Sequence, residues 1–329
     1  MDIIFRVDSS TRIGSGHVMR CLTLAKELQA HSKIHFICRD RKGNLINKIE
    51  SEGFKVFKLN SKFLNDRVED AKIVDWLGTS QDQDIADVTE ILKEVKPDCI
   101  IVDHYGLDSH WHKRVKEYTK KLFVIDDLAN RQYHCDGLID QNYYGNSQLR
   151  YKNLTNIGCK LLLGPKYALL RKEFLNNFQK NIDDGINRIL VYFGGSDAKD
   201  NILKTLHAIK LCKKNNINID VIMGKQSPFR NEIVSYASDM KNIAIFDFVD
   251  NIAEMMNDSD LYIGSAGTTT WERSCIGLPS IVIGVAENQI EPMQELKEAK
   301  LSFFLGSQEN VTYLDISKQL DNILDDQSI

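Results

Sequence analysis

The chain has 329 residues, 43% of them hydrophobic and 27% charged, with a formal net charge of −4 and a pI near 6.1. That length predicts about two domains at ~100–200 residues each. The slight acidity supplies no basic field for a polyanion, so nucleic acid is not the expected partner, whereas a nucleotide remains compatible because backbone amides hold phosphates without many lysines.

The first β-rich run, residues 2–7 (DIIFRV), leads into the turn TRIGSGH. Arg6 and Asp8 interrupt this apolar start, so it does not read as a signal peptide. A helical stripe follows over 18–30, where Val18, Cys21, Leu22, Ala25 and Leu28 share one face. Further strands are expected at 33–38, 54–58, 98–103, 121–126 and 136–140, with a helix over 84–95. Residues 141–186 are polar and lack clear alternation, and read as the end of one domain plus a connector. Strands resume at 188–193, 218–223, 242–246, 260–263 and 279–284, between helical patterns at 200–214, 229–239, 288–299 and 313–325.

Such alternation predicts an α/β protein with parallel sheets built from right-handed crossovers. The expected boundaries are 1–165 for a first Rossmann-like domain, 166–186 for a linker and 187–329 for a second. Two such units facing each other would form an interdomain cleft at the carboxyl ends of their strands, where α/β sheets bind ligands. No apolar run approaches the ~18 residues of a membrane span. Seven scattered cysteines without a CxxC pair fit reduced thiols in the cytoplasm.

Three strands are each followed by a turn of small residues. They are IGSGH (13–17) with Gly14 and Gly16, FGGSD (193–197) with Gly195 and Ser196, and IGSAGTTTWE (263–272) with Ala266, Gly267 and Thr268. Each places small residues at the mouth of a helix, whose unpaired amides and dipole favour an anion. A single turn of this kind equally serves as a tight connection, but three together point to a phosphate ligand. No full GxGxxG with a ribose-binding acid is present, which disfavours a dinucleotide dehydrogenase, and GxxxxGK[ST] is absent.

Glu272 sits just inside the helix after GTTT, where a carboxylate can accept both hydroxyls of a ribose or simply favour the helix dipole. His17 opens the first helix, and a neutral imidazole there is a competent base. DHYGLDSHWH (103–112) should bring Asp103, His104 and Tyr105 out at the cleft. His110 and His112 match no common zinc spacing and read as a solvated helix face. Asp126, Asp127 and Asp140 end two strands; they suit acid–base work or, more simply, the capping of loop amides. Glu287, Asn288 and Gln289 close another strand where substrate contacts usually sit.

Taken together, RVDSSTRIGSGHVMRCLTLA, IIVDHYGLD, VIDDLANR, CDGLIDQN, LLGPKYALLRKEF, VYFGGSD and AGTTTWERSCIGLPSIVI span most of the chain. In this order they resemble the two-domain nucleotide-sugar enzymes of GT-B fold related to the glycosyltransferase that makes lipid II. Within that group the chain is similar to the UDP-sugar hydrolases of pseudaminic acid biosynthesis. The resemblance implies a UDP-activated 2,4-diacetamido-2,4,6-trideoxy sugar as substrate, hydrolysed by water attack at the anomeric carbon with inversion, and no metal or other cofactor. It implies a catalytic base at His17 and substrate contacts at Tyr105, Arg171, Gly195, Ser196, Glu272 and Asn288. Tyr105 and Asn288 would lie near the sugar, Glu272 on the ribose, and the GGSD and AGTT turns around the diphosphate. The chain departs from the shortest members by extra residues around 60–85 and at its C-terminus. A glycosyltransferase or hydrolysing 2-epimerase of the same fold, and a non-catalytic nucleotide-sugar binder, are the alternative readings. The oligomeric state is left open.

Overall fold

The computed structural model describes residues 1–61, 76–176, 178, 185–194, 200–212, 214, 216–224, 227–247, 249 and 251–325. They form two compact units, Met1–Leu169 and Leu170–Ile329.

In the first unit the chain runs β1 (Asp2–Val7), α1 (Gly16–Leu28), β2 (Lys33–Arg39), α2 (Ile46–Ser51), β3 (Lys55–Leu59), α3 (Gln81–Val95) and β4 (Cys99–Asp103). It continues with α4 (Ser109–Lys116), β5 (Lys121–Ile125), β6 (Gly137–Asp140), α5 (Ser147–Arg150) and β7 (Lys160–Leu163). The strands pair in the order β3-β2-β1-β4-β5-β6-β7, every pair parallel. Because helices cover both faces, the central strands are apolar on both sides. Ile3, Phe5 and Val7 face the stripe of Val18, Cys21, Leu22 and Ala25 on α1, while Ile4 joins Ile100, Val102 and the Trp111 and Val115 side chains of α4.

Arg6 lies on the same side of β1 as Ile4 and is nonetheless fully buried. Its guanidinium donates to Asp8 at 2.5 and 3.0 Å and to Asp84 of α3 at 3.2 and 2.7 Å. Asp84 also accepts from Arg39 at 2.7 Å and from the Trp111 indole at 3.0 Å. Burial alone would raise both carboxyls. The adjacent guanidiniums overcome it and hold Asp8 and Asp84 below the usual carboxylate range.

The second unit contains β8 (Arg188–Tyr192), α6 (Asn201–Leu211), β9 (Asn218–Ile222), α7 (Arg230–Ala237), β10 (Ile243–Phe246) and α8 (Ile252–Asp258). After these come β11 (Leu261–Ser265), α9 (Thr269–Ile276), β12 (Ser280–Gly284), α10 (Ile290–Glu298), β13 (Phe303–Ser307) and α11 (Tyr313–Asp325). Its parallel sheet has the order β10-β9-β8-β11-β12-β13. Gly264 is required in β11: a Cβ there would stand 2.0 Å from the Tyr192 carbonyl and 2.5 Å from the Tyr262 hydroxyl.

The sequence pattern misses β7 and β13, and both are edge strands with one partner. The other two edge strands, β3 (KVFKL) and β10 (IAIF), carry β-branched residues, whereas β7 (KLLL) and β13 (FFLGS) carry none and show no period-2 alternation. Residues 170–176, read from sequence as linker, group with the second unit. Phe174 is fully buried there with Leu190, Tyr262 and Ile276, and its carbonyl accepts from the Cys275 thiol. Among the described residues no helix is long and apolar enough to cross a membrane.

In each sheet the strand order reverses once, between β1 and β4 and between β8 and β11. Loops diverge at such a point and leave a crevice at the carboxyl ends of the strands. The glycine turns after β1 and β11 lie at these two places.

Candidate active site

In the first unit the loop after β1 is wound tightly. The Ser10 hydroxyl accepts from the amides of Arg12 and Ile13, the Gly14 amide donates to the Ser10 carbonyl, and Gly14 takes φ +77°. Only a residue without Cβ adopts that φ cheaply. The loop delivers the chain to α1 at Gly16. Ser15 at the N-cap makes no side-chain cap bond, and uncapped first-turn amides suit an anion.

His17, the second residue of α1, points its Nδ1 at Asp103 Oδ1 on the end of β4, 2.6 Å away. Arg20, one turn further along α1, grips the same carboxylate with Nε to Oδ2 and Nη2 to Oδ1, both 2.6 Å. Its remaining Nη1 reaches Asp127 Oδ2 at 2.8 Å. Burial alone would raise the Asp103 carboxyl, but the charges and hydrogen bonds of Arg20 and His17 hold it well below the usual range. An ionised carboxylate accepts only, so Nδ1 carries a hydrogen toward Asp103, and the lone pair of the ring in its neutral form lies on Nε2. This is the tautomer a general base needs.

Asp103, His104 and Tyr105 do not emerge as expected; they are 1%, 3% and 4% exposed. Tyr105 packs edge-on against the His17 ring, with centroids 4.6 Å apart, and its hydroxyl donates to Asp127. Burial and the Asp127 charge push the phenol up, so it stays protonated. His104 turns away to Asp8, 3.3 Å from its Nε2. The end of β4 thereby serves His17 on one side and the Arg6 network on the other.

Asp126 and Asp140 act as loop locks. Asp126 accepts from the amides of Leu128 and Ala129, from the Tyr133 and Tyr151 hydroxyls, and pairs with Arg131 at 2.7 Å. Asp140 accepts from the Asn142 amide and shares the single Tyr151 hydroxyl hydrogen with Asp126, 2.9 Å from the phenol oxygen. Burial, and secondarily Asp127, push its carboxyl up to about 7. An unfolded aspartate titrates near ~3.9, so between these values the folded state binds the extra proton and Asp140 costs stability as pH rises. Asp140→Asn is therefore expected to gain Tm relative to the native chain as pH rises from about 5 to about 7.5, in paired thermal melts. A constant difference across that window would refute it.

His110 is exposed and bonds Asp82 at 2.7 Å. His112 departs from the expected solvated face: it is fully buried and stacks on Tyr133. Burial pushes it down to about 3, and among the described residues no cluster of His, Cys, Asp or Glu is arranged to hold a metal.

In the second unit, Ser265 ends β11 and the turn through buried Ala266 and exposed Gly267 leads to Thr268, the N-cap of α9. Thr268 makes no side-chain cap bond. Glu272, one turn in, is 5% exposed and receives Arg171 as a fork, Nε to Oε1 at 2.7 Å and Nη2 to Oε2 at 3.0 Å. Burial pushes the Glu272 carboxyl up, and the Arg171 hydrogen bonds pull against it. Each oxygen retains a lone pair for a further donor. Asn288 lies partly exposed on the short Glu287–Gln289 turn after β12. Gly195 and Ser196 lie outside the described residues; Gly194 just before them takes φ +89°.

The sequence reading singled out His17 without its partners. Arg20 carried one local signal, its place three residues along the same helix, whereas the Asp103 contact spans 86 positions.

Comparisons with known proteins place the chain among nucleotide-sugar enzymes by sequence and fold. Residues 189–328 match the glycosyltransferase family 28 C-terminal domain. An uncharacterised protein of Methanocaldococcus jannaschii is 31% identical over 88% of this chain, and the chain spans 57% of that relative's length. The UDP-2,4-diacetamido-2,4,6-trideoxy-beta-L-altropyranose hydrolase of Campylobacter jejuni is 29% identical over 82% of this chain and 86% of its own. The resemblance read from the motifs is thus borne out. Among solved structures, MurG of Acinetobacter baumannii covers 98% of this chain and is itself covered to 91%, with a TM-score of 0.69 at 13% identity. The UDP-GlcNAc 2-epimerase of Neisseria meningitidis bound to UDP-GlcNAc covers 97%, with 90% of its own chain matched, a TM-score of 0.55 and 13% identity. At that identity these likenesses show the fold, which is GT-B, with two Rossmann-like parallel-sheet domains.

Proposed function

We propose that this GT-B chain, a homologue of the pseudaminic acid pathway's UDP-sugar hydrolase, hydrolyses UDP-2,4-diacetamido-2,4,6-trideoxy-β-L-altropyranose to the free sugar and UDP. The observation that carries the reading is the His17–Asp103–Arg20 arrangement, because it ties Nδ1 to a carboxylate and leaves Nε2 as the nitrogen a neutral ring would use as a base, at a strand-order reversal.

His17 Nε2 takes a proton from water while the water oxygen bonds to the anomeric carbon. The bond from that carbon to the UDP oxygen breaks, and UDP leaves with the electron pair, inverting the centre. UDP is a good leaving group, so charge stabilisation matters more than its protonation. Fixed amides of the turn through Ala266, Gly267 and Thr268, together with the start of α9, suit the diphosphate. Gly195 and Ser196 belong to the same role by motif, while Gly14 and Gly16 in the first unit leave room for the substrate's sugar beside His17. Glu272, steadied by Arg171, accepts the ribose hydroxyls, Asn288 contacts the sugar, and Tyr105, buried against His17, backs the base. The reaction needs neither metal nor cofactor, and a cytoplasmic setting fits a nucleotide-sugar substrate.

The decisive experiment follows the purified protein by NMR with this UDP-sugar and with UDP-GlcNAc. Release of UDP from the first, with the initial product anomer inverted, supports the reading; retention, or transfer only to an added acceptor, overturns it. A second expectation concerns the carboxylate. Asp103→Asn presents an amide to Nδ1, favours the tautomer with its hydrogen on Nε2, and should lower kcat by about a hundredfold with little change in KM. A variant with native kcat would remove Asp103 from the mechanism.

A further inference from the structure

Trp76 lies between β3 and α3, on the carboxyl edge of the first sheet. Its ring centroid stands 5.5 Å from Tyr105 at an interplanar angle of 32°, and 6.3 Å from His17 at 84°. Trp76 and Tyr105 therefore present roughly aligned faces, with the imidazole edge-on to both.

The backbone at this point is anchored twice. The Trp76 carbonyl accepts from the Arg41 guanidinium, and the next residue, Leu77, is buried in the core that contains Ile4 and Trp111. The Trp76 ring itself joins neither apolar core of the unit among the described residues, and it remains partly exposed. A large aromatic held beside a base, yet absent from the core, forgoes the burial that usually stabilises such a side chain. Ligand pockets are where aromatic walls of this kind serve.

The chemistry beneath the rings selects the ligand class. Two carboxylates, Asp103 and Asp127, share the guanidinium of Arg20, and Arg131, 5.8 Å over the Tyr105 ring, is paired with a third, Asp126. That balance is unfavourable to a diphosphate and suits an uncharged ring. A 6-deoxy sugar bearing acetamido groups offers an apolar C–H face and methyl groups, which an indole face covers well.

We infer that Trp76 is a specificity-determining residue, a platform for the apolar face of an N-acetylated 6-deoxy sugar beside His17. The inference rests on the UDP-sugar reading of the site. Its test is calorimetric binding of UDP and of the UDP-diacetamido sugar in a His17→Ala background, where turnover does not interfere. Adding Trp76→Leu should weaken the UDP-sugar by about tenfold and leave UDP within about twofold, while Trp76→Phe retains most of the sugar affinity. Unchanged UDP affinity doubles as the check that the protein remains folded. Equal losses for both ligands, or no loss for the UDP-sugar, would overturn the inference. Hydrolysis by the native chain is read separately: selective binding without UDP release overturns the hydrolase reading and leaves the platform standing.

Discussion

His17→Ala is expected to lower kcat on the UDP-sugar by ~10²–10⁴-fold, the usual worth of a positioned general base, while UDP affinity holds. The fold should tolerate the change. Alanine is the best helix former, and Asp103 keeps both of its hydrogen bonds from Arg20 when the imidazole is removed. No buried charge is left alone, so the variant should melt close to the native chain. Initial rates with the UDP-sugar, calorimetry with UDP and a thermal melt separate the three effects. Full activity in the variant would remove His17 from the mechanism, and loss of UDP binding would mean that its role is structural.

The second large effect concerns stability. Asp84→Ala should cost about 3–5 kcal/mol, the range for breaking a buried ion pair by removing one partner. Asp84 accepts from Arg6, Arg39 and the Trp111 indole, and each of these side chains is almost wholly buried. After the substitution Arg6 retains only Asp8 among its carboxylate partners among the described residues. Against a typical total of ~5–15 kcal/mol, the loss should be plain as a drop in urea midpoint at unchanged m. The pH dependence follows from the depressed carboxyls of Asp8 and Asp84. Their contribution is complete above the unfolded aspartate value of about 3.9 and is lost as pH falls through the lower folded values. The variant should therefore show a shallower acid transition than the native chain. A cost below about 1 kcal/mol would mean that the network is nearly neutral overall.

Much of the scaffold was legible locally. The stripe on α1 lies inward in the predicted register because a helix of period 3.6 can bury only one face. The central strands were visible as apolar runs because both faces of a parallel sheet are covered. Strands β7 and β13 escaped because KLLL and FFLGS carry neither β-branched residues nor a period-2 alternation. The linker at 166–186 was read from its polarity, and one residue, Phe174, draws the 170–176 stretch into the second core. His112 was misread because neighbouring histidines on one helix give no sign of which faces inward.

The candidate site divides in the same way. By itself the sequence determined the glycine turns, the helix starts behind them and His17 at the first of these, since each depends on residues within a few positions. Tertiary structure alone decided the partners. Asp103 meets His17 across 86 positions and Asp84 meets Arg6 across 78, and Trp76 reaches Tyr105 and His17 from the loop after β3. These meetings follow from β4 lying beside β1, and α3 packing over that pair. Strand order is set by the burial of whole faces, and no local run of residues records it.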